Sequence, residues 1–180
     1  MRRKAPLCVM LPMPAERIDE RIGRFLADNP SGSLLVAVGY ATPAGLAWLH
    51  KRTAGRSVSV LIGDARSTYW KNRTAADCDA ARQFLSRSNV EVHNWYRTRR
   101  SNEGVSEAHL KAWLVYSRNS VLAALVGSAN LTNNGLHNNT EIMAEPVIKD
   151  LRNVWATAHE LWGKSWDAKE RLLGYLKDNE

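Results

Sequence analysis

Two hydrophobic periods take turns along this chain. Ile18, Ile22, Phe25 and Leu26 follow the i, i+4, i+7, i+8 spacing of one helical face. They predict a helix opened by Pro14 and ended by Asn29-Pro30. Ser33 to Tyr40 (SLLVAVGY) is a continuous apolar run, the pattern of a strand covered on both faces. Thr42-Pro43 has the form of an N-cap followed by proline at the first helical position. The helix it opens reaches about Thr53 and carries Leu46 and Leu49 inward. Ser57 to Ile62 (SVSVLI) alternates as a strand does. Thr74 with Asp77 resembles a capping box with aspartate in place of glutamate, opening a helix to about Arg87. Asn89 to Trp95 reads as a further strand.

The polar stretch Tyr96 to Glu107 reads as a loop. His109 to Asn130, HLKAWLVYSRNSVLAALVGSAN, supplies two strands joined by a turn near Ser117-Arg118-Asn119-Ser120. An Asn-rich loop (TNNGLHNN) follows, then a short strand from Thr140 to Ala144, a helix from Val147 to about Trp162 and another from Asp167 to Lys177. Strands alternating with helices predict an α/β fold, a mixed β-sheet sandwiched by helices. The chain has 180 residues and shows no internal repeat, low-complexity segment or linker, which predicts one domain over 1–180. Pro6, Pro12 and Pro14 interrupt the basic, then apolar N-terminal stretch, which reads as an extended segment or edge strand and is too short to span a bilayer.

Composition changes the picture in two ways. The formal net charge is +7, a surplus that favours polyanions, nucleic acid first and an anionic membrane surface second. Cys8 and Cys78 stand far apart in no CxxC or Cys/His pattern, which speaks against a structural zinc site or a disulfide framework. They read as buried thiols of a reducing cytoplasm.

Against this background the apolar run from His109 to Asn130 is unusual for its polar residues. Residues i and i+2 of a strand share a face, so His109 and Lys111 are expected to project together, with Trp113 and Val115 further along. Ser128 and Asn130 share a direction where the next run leaves the sheet. If the two runs pair, all four groups converge at one end of the sheet. Taken singly, each is a solvent-facing strand end or a turn residue. Taken together they have a chemical sense, because burying them has a cost unless they pair or bind something. A lysine cation with serine and asparagine donors can hold a tetrahedral phosphate, and a histidine beside it can attack phosphorus or protonate a leaving oxygen.

His109-x-Lys111 followed by Gly127-Ser128-x-Asn130 resembles the HKD motif of the phospholipase D superfamily. The continuation through Leu131 to Leu136 and Asn139-Thr140-Glu141 into an apolar strand fits the same pattern. The strand into Tyr40-Ala41-Thr42-Pro43, the strand near Val58 to Ile62 and the closing Trp155 to Trp166 segment resemble its nuclease branch. The resemblance implies a phosphodiesterase that needs neither metal nor cofactor. Members of that family bring two motif copies together; a chain with one copy is implied to be a homodimer whose two His109 side chains face each other across the twofold axis. One His109 would form a phosphohistidine and the other would protonate the leaving oxygen and then activate water. Lys111, Ser128 and Asn130 would hold the non-bridging oxygens, and Glu141 would orient the imidazole. One position departs from the pattern: the motif aspartate, five residues after the lysine, is Tyr116.

Charge narrows the substrate. Lys51 to Arg73 holds Lys51, Arg52, Arg56, Arg66, Lys71 and Arg73 against Asp64 alone. Arg97, Arg99 and Arg100 stand beside Trp95 and Tyr96, and basic groups near stacking rings suit a single strand or a distorted duplex. Asn133, Asn134, His93 and His137 are candidates for the border of the cleft, whereas His50 and His159 read as helix residues without a role. A metal-dependent nuclease would need clustered carboxylates, yet acidic residues are scattered and only Glu141 adjoins the constellation. The expectation is a cytoplasmic endonuclease acting on DNA. The alternatives are a phospholipid or RNA phosphodiesterase of the same type, or a nucleic-acid-binding module with a decayed site.

Overall fold

The computed structural model describes residues 17–70, 73–95, 110–118, 120–139 and 141–177. The extended N-terminal segment with Cys8, the loop from Tyr96 to Glu107 and His109 lie outside the described residues.

The core begins with β1 (Ser33–Tyr40), whose interior residues are all buried, as an uninterrupted apolar strand requires when both faces are covered. It runs parallel to β2 (Val58–Asp64), and β2 runs parallel to β3 (Val90–Asn94). The crossovers are α2 (Pro43–Arg52) and α3 (Ala75–Ser86). Both start at the predicted caps: the Thr42 hydroxyl accepts from Gly45 N at 3.3 Å and the Thr74 hydroxyl from Asp77 N at 3.1 Å. On the other side of β1, β4 (Ala112–Ser117) is antiparallel and is followed by its hairpin partner β5 (Ser120–Gly127). The turn between them is tight, since Ser117 pairs with Ser120. Arg118 takes a φ of 54°, the left-handed conformation that two-residue hairpin turns use. With β6 (Met143–Ala144) beside β5 and β7 (Trp166–Asp167) beside β3, the seven strands of the described residues run in the order β6-β5-β4-β1-β2-β3-β7.

Alternation sorts the side chains into two layers. Leu34, Val36 and Val38 of β1 join Trp113 and Val115 of β4 in the larger core. That core is covered by α1 (Ile18–Asp28), α2, α3 and α5 (Lys169–Lys177), through Ile22, Phe25, Leu46, Leu49, Phe84, Leu85, Leu172 and Leu176. Leu35, Ala112, Leu114 and Ala124 face the other way, against Ala158, Leu151, Val154 and Trp155 of α4 (Ile148–Gly163). The predicted mixed sheet between helical layers is therefore the observed architecture.

Five local readings change. The first helix starts at Ile18, after an extended Arg17, rather than at Pro14, which lies outside the described residues. The Asn-rich loop winds into a single π-helical turn over Asn134–Asn138, closed by Asn139 N to Asn134 O at 2.7 Å. The strand expected over 140–144 is confined to Met143 and Ala144, because only these two pair with β5. Trp166 and Asp167 pair with Asn94 and His93 as β7, so α5 starts two residues later than its hydrophobic pattern suggests. A two-residue pairing has no period to read. Finally Leu122 of the largely apolar β5 is half exposed: it is the residue left unpaired where the register shifts between the Val115–Ala123 and Tyr116–Val121 pairs.

Candidate active site

The site is built where the carboxyl end of β1 meets the start of β4 and the end of β5. Parallel strands open such a crevice beyond their carboxyl ends. Lys111 stands immediately before β4, and its carbonyl accepts from Gly127 N at 3.0 Å. This places the lysine opposite the last residue of β5. The chain then crosses to β1: Leu131 N donates to Tyr40 O at 3.1 Å and Thr42 N donates to Leu131 O at 3.0 Å. Asn130 is thereby carried onto the end of β1, where its Oδ1 accepts the Tyr40 N–H at 3.0 Å. With the oxygen so engaged, the amide NH₂ is turned the other way, as a donor.

Gly39 makes the meeting possible. A Cβ on Gly39 would lie 3.1 Å from Asn130 Oδ1 and 3.4 Å from Lys111 Nζ. The ammonium and the amide thus occupy the space a side chain would fill. A second close approach holds the loop in place, since a Cβ on Gly135 would come within 2.6 Å of Asn130 O. Neither glycine stood out in the sequence; the readable signal was a glycine one residue from the end of an otherwise bulky buried strand.

Glu141 joins the group from the segment ahead of β6. Its carboxylate accepts a short hydrogen bond from the Ser128 hydroxyl and another, at 3.3 Å, from Asn139 Nδ2. The Ser128 hydroxyl in turn accepts from Ile142 N at 3.0 Å, and Ser128 N donates to Ile142 O at 2.9 Å. Serine and glutamate are therefore locked to one another and to the backbone of the β5–β6 edge. Burial pushes the Lys111 ammonium below the ordinary lysine range, and the negative charge of Glu141 opposes that fall. Lysine, asparagine, serine and glutamate thus come together. Hydrogen bonds fix Asn130, Ser128 and Glu141, and Lys111 joins them beside Gly39 in the field of Glu141.

The other expected site residues distribute differently. His109, Tyr96, Arg97, Arg99 and Arg100 lie outside the described residues. Trp95 extends β3, its N–H donating to Ile62 O at 2.9 Å, at the same end of the sheet as Lys111. Asn133 lines a cavity of about 640 Å³ along α2 and α3. His93 does not border an open cleft: it stacks on Trp162 at 3.8 Å and its Nδ1 pairs with the Ser165 hydroxyl at 2.8 Å. His137 contacts Arg17 at 2.8 Å and Asp19 at 3.5 Å. Among the described residues no three His, Cys, Asp or Glu side chains gather as a metal site, and no helix is long and apolar enough to cross a membrane.

Tyr116, in the place of the motif aspartate, sits at the far end of β4 and on the opposite face from Trp113. Its ring packs against Trp155 of α4 with centroids 4.9 Å apart. Five residue steps along the strand separate it from Lys111, about 16 Å at the usual rise.

No family model matches the sequence, and no curated protein does. Solved structures do match the fold. NucT from Helicobacter pylori superposes with a TM-score of 0.55 at 13% identity, over 82% of this chain and 88% of that one. A polyphosphate kinase from Porphyromonas gingivalis matches with a TM-score of 0.43 at 13% identity, over 76% of this chain and 18% of the kinase. With a mixed sheet between helical layers and the NucT superposition along most of its length, the chain shares the fold of NucT, a phospholipase D-like fold.

Proposed function

We propose that this protein is a metal-independent phosphodiesterase that cleaves DNA at a site completed by a second copy of the chain. The observation that carries the reading is the meeting of Lys111 and Asn130 over Gly39, beside the Ser128–Glu141 pair. Lys111 brings a cation beside the bare backbone of Gly39, and Asn130, its Oδ1 held by Tyr40 N, presents its NH₂ on the other side as a donor; a cation and an oriented amide donor together can hold a tetrahedral anion. The net charge of +7 and a fold shared with a nuclease support a nucleic-acid substrate.

In the proposed reaction the His109 imidazole attacks phosphorus and the P–O bond to the leaving strand breaks. The second copy's His109 gives its proton to the departing oxygen. That imidazole then takes a proton from water, the resulting hydroxide attacks phosphorus, and the P–N bond breaks to release the phosphate end and regenerate His109. Lys111 and Asn130 hold the non-bridging oxygens in both steps. Glu141 keeps the attacking imidazole oriented and offsets its positive charge, and the Ser128 hydroxyl, its proton donated to Glu141, fixes that carboxylate.

Incubating the pure protein with plasmid, single-stranded DNA, RNA and a choline lipid, each in excess EDTA, tests the reaction class. DNA cleavage that persists in EDTA and is lost in His109→Ala, with DNA affinity retained, is expected. Equal cleavage by His109→Ala rejects the mechanism, and a monomer at high concentration in sedimentation rejects the shared site.

A further inference from the structure

Among the described residues, the basic groups between Lys51 and Arg73 do not form one patch. Arg56 is spent on the backbone, donating to Gly32 O at 2.9 Å and Ser31 O at 3.3 Å. Arg66 is paired with the buried Asp64. Lys51, Arg52 and Arg73, by contrast, all line the cavity of about 640 Å³ along α2, together with Trp48, Asn133 and the start of α3 at Thr74 and Asp77. Among the described residues Asp77 is the one carboxylate in that lining, and it already accepts from the Thr74 hydroxyl at 2.8 Å.

The three cations are held but not neutralised by that carboxylate. Lys51 and Arg52 are exposed on the last turn of α2. The Arg52 guanidinium lies 4.0 Å over the Trp48 ring, a stacking that leaves its N–H edge free to donate. Arg73 donates through Nη1 to Tyr175 O at 2.7 Å, while its Nη2 is buried without a hydrogen-bond partner among the described residues. Its anchor fixes where the charge sits. A concave space with three cations against one occupied carboxylate attracts anions, and its size is that of ordinary ligand sites.

We infer that this cleft is a second contact for the substrate strand, seating phosphates of the nucleic-acid backbone away from the bond that is cut. The inference rests on the nuclease reading above and deepens it. Position favours a continuous strand over a small ligand. Asn133, at one side of the cleft, is three residues from Asn130 of the site, and α2 starts from the end of β1 that Asn130 caps. From Ala44 to Arg52 the helix advances about 12 Å, the span of a few phosphates of one strand at about 3.4 Å or more apiece. The Trp48 ring is buried beneath Arg52, so bases find no open stacking face there. The contact is with phosphate and carries no sequence preference.

The test is fluorescence anisotropy of a labelled single-stranded oligonucleotide in the His109→Ala background, across salt concentrations. Lys51→Glu with Arg52→Glu is compared with Arg118→Glu with Arg152→Glu, which makes the same change of net charge elsewhere. The cleft pair should lose tenfold or more in affinity and flatten the log K against log salt slope by about 1.4, at about 0.7 per lost contact. The distant pair should lose less than about threefold, by screening over a Debye length. The neutral pair Lys51→Gln with Arg52→Gln should fall between wild type and the reversal, so that a misfolded reversal does not decide the matter. Equal losses in the two reversed pairs, or an unchanged slope in both cleft pairs, would overturn the inference, as would a loss of affinity for anionic vesicles without one for DNA. A chain that fails to cleave DNA in EDTA refutes the nuclease reading itself. A chain that cleaves while the cleft variants bind as before refutes only the second contact.

Discussion

Gly39→Val separates the demands of the fold from those of the site. The space beside Gly39 holds Asn130 Oδ1 and Lys111 Nζ, which would stand 3.1 Å and 3.4 Å from a Cβ. Alanine asks these neighbours to yield by a few tenths of an ångström. Valine carries methyl groups about 1.5 Å beyond the Cβ, so the amide and the ammonium must retreat by about 1 Å. Misplacement of that size costs catalysis on the order of 100-fold, or about 2.7 kcal/mol of transition-state stabilisation. Stability should respond oppositely. Glycine in a strand interior is worse than alanine by about 0.5–1 kcal/mol, and valine is among the best strand residues. The thermal midpoint should therefore stay within a few degrees of wild type. The assay is kcat/KM on a short labelled oligonucleotide, with alanine at about tenfold loss and valine at about 100-fold, beside calorimetric melting of each protein. A valine variant within about threefold of wild-type kcat/KM would show that the meeting of Lys111 and Asn130 over Gly39 does not carry the chemistry.

Two further substitutions probe the charges and the motif. Lys111 must be protonated to hold phosphate, and burial already lowers its pKa against the raising influence of Glu141. Glu141→Gln removes the raising charge, so the alkaline limb of the pH–rate profile should move to lower pH, with the rate at neutrality down about tenfold or more; a limb that stays in place or moves upward contradicts the pairing. Tyr116→Asp restores the motif residue and should nonetheless give no gain in cleavage, while burying a carboxylate against Trp155 costs roughly 1–3 kcal/mol and lowers the melting midpoint by about 2–4 °C per kcal/mol. A more active and equally stable Tyr116→Asp protein would mean that the aspartate supports the site directly.

Local chemistry was enough to place most of the framework. The apolar run of β1, the caps at Thr42 and Thr74, and the β4–β5 hairpin appear where the sequence puts them, because a strand covered on both faces and a helix start are each specified by neighbouring residues. The same is true of the order in which lysine, serine, asparagine and glutamate occur. Sequence spacing could not say that Lys111 and Asn130 meet over Gly39, because those residues are far apart in the chain and come to the same space only after β1 and β4 pair and the segment after β5 crosses the end of β1. Nor could it say which basic residues are available. Arg56 and Arg66 are consumed by a backbone turn and a buried carboxylate, while Lys51, Arg52 and Arg73 share one cleft because α2 packs against α3. Covalent order determined the elements and the inventory of reactive groups. Packing decided which groups share a volume, since distance in a folded chain depends on non-local burial that no local pattern encodes.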